Sequence, residues 1–120
     1  MNARLSSLAA ALLLGASACA TTTAAPSARA ETSSAAIRAA EEVGATHSPD
    51  AALHLQLAKE EFEHARQLTN PKDRAWSERL LMRAEADAEL SLALARSKSE
   101  EDAAMGAIDR VRALKSTPTP

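Results

Sequence analysis

A chain of 120 residues holds one domain at most, and one Phe, one Trp and no Tyr against thirty alanines make its core Leu and Ala rather than large anchors. Sixteen acidic and fourteen basic residues give a net charge of −2 with no long block of one sign, which offers no footing for nucleic acid. The single cysteine, Cys19, excludes an intrachain disulfide and a multi-thiolate zinc site.

Residues 1–18 have the layout of a bacterial secretory leader: Arg4, an apolar run from Leu8 to Leu14, then Gly15, Ala16, Ser17 and Ala18. The run is far shorter than the roughly 20 apolar residues a membrane span needs, so export is expected rather than a permanent span. Gly15-Ala16-Ser17-Ala18-Cys19 resembles the lipobox of bacterial lipoproteins, although Ala16 stands where that pattern prefers Leu. The resemblance implies that Cys19 is diacylglyceryl-modified and becomes the N-terminus. Ala20 in place of Asp then implies sorting to the outer membrane, at its periplasmic face. Ordinary cleavage at Ala16-Ser17-Ala18 or Ala18-Cys19-Ala20 would instead leave a soluble periplasmic protein.

Residues 19–32, mostly Thr, Ala, Ser and Pro, bury too little surface to order themselves and read as a flexible linker. From 33 to 115 the pattern is helical. Ser33 or Ser34 caps a short helix through Val43, with Ile37, Ala40 and Val43 on one face and Gly44 as its stop. Ser48-Pro49-Asp50 starts the next helix by a capping hydroxyl, a proline at the first position and an acid at the positive helix end. Ala51, Leu55, Ala58, Phe62 and Ala65 then recur at spacings of four and three, the rhythm of a helix lying along another helix. Leu53, Leu57 and Leu68 widen that stripe.

Asn70-Pro71-Lys72-Asp73 repeats the start logic, and a tight turn makes the flanking helices antiparallel. Trp76 is expected as a core anchor, with Leu80 and Leu81 meeting Phe62 and Leu68. From Pro71 to Lys115 the chain reads as one long helix, with Leu81, Ala84, Ala88, Leu92 and Ala95 as its stripe; whether it is continuous or broken near 97–99, where Ser99 and Asp102 fit a capping box, is left open by the sequence. The preceding helix, roughly 30 Å long, covers the long one only to about residue 92. Beyond that point Leu92, Ala95, Ala104, Ile108, Val111 and Leu114 form a candidate interaction stripe. Residues 116–120 are read as a disordered tail.

Chemistry is sparse. Glu61 and His64 have the spacing of a carboxylate–histidine metal pair on one helix face, but no second such pair exists, so surface residues are the better reading. Gly15, Gly44 and Gly106 are scattered and form no phosphate loop; no Ser sits in a G-x-S-x-G turn. No catalytic residue, cofactor or metal is assigned, and the chain is not expected to be an enzyme.

The segments Ile37–Ala45, Ser48–Leu53, Leu57–Phe62 and Ala84–Leu90, together with Cys19 and the Ala/Thr linker, resemble the domain-of-unknown-function 4398 family of bacterial envelope lipoproteins. The resemblance covers about residues 34–100. It implies an α-helical fold and an envelope location; it supplies no catalytic residues. Some such proteins continue into an OmpA-type peptidoglycan-binding domain, whose function does not carry over to these residues. The expectation is therefore an all-α protein, an antiparallel helical hairpin with a short N-terminal helix and a long C-terminal one. It would be anchored to the membrane at Cys19 and act as a structural or interaction element through self-association or an envelope partner. A small tetratricopeptide-like peptide-binding module is the alternative, although one hairpin is fewer repeats than usually stack.

Overall fold

The computed structural model describes residues 26–116, and every regular element among them is helical. Helix α1 runs Pro26–Glu42, α2 Pro49–Gln67 and α3 Arg74–Ser116, joined through single 3-10 turns at Ala45–His47 and Pro71–Asp73. The expected all-α hairpin is present, formed by α2 and α3, with α1 laid chiefly along α3.

The stops and starts follow local chemistry. Gly44 ends α1 in the left-handed conformation, φ 78°, and its N–H donates to the Glu41 carbonyl at 2.9 Å. Ser48 is extended and its carbonyl accepts from the Ala52 N–H at 2.8 Å, so it is the residue before α2, with Pro49 first in the helix. Its hydroxyl makes no capping bond. Asn70 does cap: its side chain accepts from the Lys72 N–H at 3.0 Å, and the 3-10 turn it starts runs directly into α3.

All three helices meet along seams of small residues at heptad spacing. Ala51, Leu55, Ala58, Phe62 and Ala65 of α2 face Ser77, Leu81, Ala84, Ala88, Ser91 and Ala95 of α3; Ser33, Ile37 and Ala40 of α1 close the third side. Small side chains let backbones approach closely. The consequence is visible in three serines, each donating its hydroxyl to a carbonyl of another helix: Ser33 to Leu81 at 2.8 Å, Ser77 to Ala65 at 3.0 Å and Ser91 to Ala51 at 2.7 Å. These bonds also fix the register. Ala51 lies opposite Ser91 and Ala65 opposite Ser77, so each step along α2 is one step back along α3.

Alanine seams bury little area. Among the larger aliphatics of the described residues only Ile37, Leu55, Leu80 and Leu81 are buried, each worth about 1.5–3 kcal/mol, so this core has a small margin of stability.

Several expectations are corrected. Helix α1 begins at Pro26, so residues 26–32, read as linker, are helical, and the N-terminal helix is 17 residues rather than a short one from Ser33. The cause is tertiary: Ala30 packs on Leu80, Leu81 and Ala65, and Ser33, far from capping a helix end, is fully buried in the middle of one. Val43 lies beyond the helix and is exposed, its place in the core taken by Ala45. Trp76 is no core anchor; it is 42% exposed beside the seam, edge-on to His64 with ring centroids 6.4 Å apart and under the Arg79 guanidinium at 5.2 Å. Leu53 and Leu57 are exposed. Leu80 and Leu81 do meet Phe62 and Leu68 at the α2–α3 turn.

Candidate functional site

The register sets where α3 loses its cover. Carried to its end, it puts Pro49, the first residue of α2, opposite residue 93, and the last buried side chain of α3 is Ala95. From Arg96 to Ser116 every residue but Gly106 is exposed. At about 1.5 Å per residue this free arm is roughly 30 Å long.

The helix runs unbroken through 97–99. A capping box at Ser99 would require a non-helical residue there, whereas the preceding turn is already held helical by the packing of Leu92, Leu94 and Ala95. Downstream, ion pairs one turn apart, Lys98 with Asp102 and Arg112 with Asp109, and a high alanine content sustain it. Gly106 lowers helix propensity without stopping the helix.

The predicted stripe divides at this boundary. Leu92 is half-buried against the core and Ala95 is buried, so both belong to the hairpin and not to a free surface. Ala104, Ile108, Val111 and Leu114 are exposed, the last at 77%. Met105, which the sequence reading passed over, joins them on the exposed surface. Its signal was in the sequence, since it lies three residues before Ile108.

A second cluster joins α2 to α3 inside the hairpin. His54 and Glu61 stand two turns apart on α2; Arg83 and Asp87 stand one turn apart on α3. The antiparallel register pairs Glu61 with Arg83 at 2.6 Å and His54 Nδ1 with Asp87 at 2.7 Å. Glu61 is the most enclosed of the four, and its Oε2 is buried with no hydrogen-bond partner. Burial holds its carboxyl above the ordinary range, Arg83 pulls it back, and the charge of Asp87 together with a hydrogen bond to it pushes the same way as burial. A protonated Glu61 would turn that orphan oxygen into a donor to the Asp87 carboxylate. Ser91, one turn beyond Asp87, gives its proton to the Ala51 carbonyl and is fully buried. The cluster therefore ties two helices together and presents no free nucleophile.

Glu61 and His64 are not brought together as a metal pair: Glu61 turns to Arg83, while His64 is exposed beside Trp76. Among the described residues no group of three or more His, Cys, Asp or Glu is placed to hold a metal ion, and no helix is long and apolar enough to cross a membrane. Cys19, the expected leader, linker residues 19–25 and tail residues 117–120 lie outside the described residues, while Ser116, read as tail, is the last residue of α3. Comparison with protein-family models, with curated proteins and with solved structures finds no match to this chain.

Proposed function

We propose that this protein is a lipid-anchored structural or interaction element of the bacterial cell envelope, held at the periplasmic face of the outer membrane through Cys19 and acting through the free arm of α3 rather than by catalysis. One observation carries the reading: an intact helix leaves the hairpin at Ala95 and presents Met105, Ile108, Val111 and Leu114 to solvent. Each of these side chains would contribute about 1.5–3 kcal/mol if fully buried, and among the described residues α1 and α2 end before reaching them. Ala104, Ile108 and Val111 form one line on the helix with Met105 at one edge and Leu114 at the other, and an apolar band on an otherwise charged helix is the shape of a helix-pairing surface. The resemblance of Gly15–Cys19 to a lipobox, and of residues 34–100 to the domain-of-unknown-function 4398 family, supports the envelope location.

Two measurements test it. Palmitate labelling in the native host should be lost in Cys19→Ala, and unchanged labelling would remove the anchor. A photo-crosslinking side chain at position 114 should capture a protein in cells while the same group at exposed Gln56, on the hairpin, does not; equal capture at both would remove the arm as the working surface.

A further inference from the structure

The arm carries information about its occupant. Charge differs between the two ends of the stripe: Glu100 and Glu101 stand at its N-terminal end and Arg112 and Lys115 at its C-terminal end, while Lys98, Asp102, Asp109 and Arg110 lie off its face and Arg96 precedes it on the hairpin side. The helical period places Glu100, Glu101, Arg112 and Lys115 on or beside the line through Ala104, Ile108 and Val111. Among the described residues Glu100, Glu101 and Lys115 enter no ion pair, and Arg112 has only the exposed one with Asp109. A helix with acid at one end and base at the other is complementary to its own reversed copy.

We propose that the arm pairs with the arm of a second copy of this chain, antiparallel, about a two-fold axis near Ala107 and Ile108; this deepens the interaction reading above and rests on it. That axis sets Glu100 directly against Lys115 of the second copy and brings Glu101 and Arg112 within a turn of each other, and the symmetry repeats the match at the other end. It also sets Ala104 against Val111 and Ala107 against Ile108, small against large about the axis. Parallel pairing would stack acid on acid and base on base. A two-fold axis across the arms, turned along the membrane normal, keeps both N-terminal tethers on one side, so membrane anchoring and self-pairing are compatible.

The test is charge reversal read by sedimentation equilibrium of the exported chain in density-matched detergent, with circular dichroism confirming unchanged helicity in each variant. The native chain self-associates. Glu100→Lys with Glu101→Lys weakens association about tenfold or more, as does Arg112→Glu with Lys115→Glu, and all four together restore it to within about threefold. Zero-length carboxyl–amine crosslinking of mixed isotopically labelled chains joins Lys115 of one copy to Glu100 or Glu101 of the other. A strict monomer, a dimer indifferent to either reversal, or a fourfold variant without rescue overturns the proposal. Should the arm of such a monomer still crosslink to another envelope protein in cells, self-pairing falls and the interaction reading stands; if nothing is captured, both fall.

Discussion

Ser91 on α3 lies directly across from Ala51 on α2, its hydroxyl 2.7 Å from the Ala51 carbonyl oxygen, and both side chains are shut off from solvent. A serine can hold that position because it is small enough for the seam and brings its own acceptor within reach. Replacing Ser91 by Ala removes one buried hydrogen bond but leaves the Ala51 carbonyl its helical partner, so the expected cost is about 1 kcal/mol. Replacing it by Leu forces a branched side chain between two backbones and is expected to cost about 1–3 kcal/mol or more. Urea midpoints of the two variants separate these effects. A Leu variant as stable as the native protein would show that α2 and α3 are not in close contact there.

Glu61 gives the fold a pH dependence whose sign can be worked out. Its carboxyl is held above the ordinary value of 4.5, first by burial and then by Asp87, against the pull of Arg83. A raised carboxyl binds its proton more tightly folded than unfolded. Its contribution to stability is therefore complete below 4.5 and is lost as pH rises through the raised value. Glu61→Gln keeps the shape, supplies an N–H toward Asp87 and carries no charge to desolvate. It is expected to be more stable than the native protein near neutral pH, with the advantage shrinking as the solution is acidified. Paired urea melts across that range check this, and because the comparison is between two chains the titrating groups remote from Glu61 cancel. An advantage that grew on acidification would reverse the sign.

Much of this was readable from residues alone, and the limits have physical causes. Ser48-Pro49 and Asn70-Pro71 mark the starts of α2 and of the turn into α3 because proline without an N–H fits a helix's first position and few others. Ala51, Leu55, Ala58 and Ala65 were legible because a helix on a helix repeats at four and three. The α3 seam was misread at one place: Leu92 looks like the next core residue after Ala88, yet the buried one is Ser91. Hydrophobicity favoured Leu; closeness of approach favoured the smaller side chain. The start of α1 was hidden for a related reason. The Thr, Ser and Ala of 26–32 have no stripe of their own, and they become helical because α3 gives Ala30 and Ser33 somewhere to pack. In the arm, the exposed stripe was legible; that the helix continues through 97–99 was not, since a capping-box pattern is silent on whether packing upstream already holds the turn helical.

Gly44 is fixed by its conformation. At φ 78° a side chain is strained, and a Cβ there would lie 2.9 Å from His47 Nδ1, which donates to the Gly44 carbonyl at 3.1 Å. His47 is exposed and can swing away, so the clash is relieved at the loss of that contact, and the backbone term dominates. Gly44→Ala should cost about 1–2 kcal/mol, and Gly44→Asn less, since Asn tolerates this region better. Thermal melts of both settle the order; an Ala variant equal to native would mean that the α1–α2 turn relaxes into another form.

The arm and the hairpin should be separable in energy. Ile108 and Leu114 touch no core cluster and are exposed at 50% and 77%, whereas Leu55 is 2% exposed at the centre of the larger cluster. At high dilution, where association is absent, Ile108→Ser with Leu114→Ser should shift stability by no more than about 0.5 kcal/mol, the range of ordinary surface changes. Leu55→Ala should cost about 2–5 kcal/mol, enough to unfold so thin a core. As concentration rises the native chain gains stability by mass action and the arm variant does not. Melting temperature against concentration for the three chains is the measurement. A double-serine arm that destabilised the dilute protein by as much as Leu55→Ala would show that the arm folds back onto the hairpin and offers no free surface.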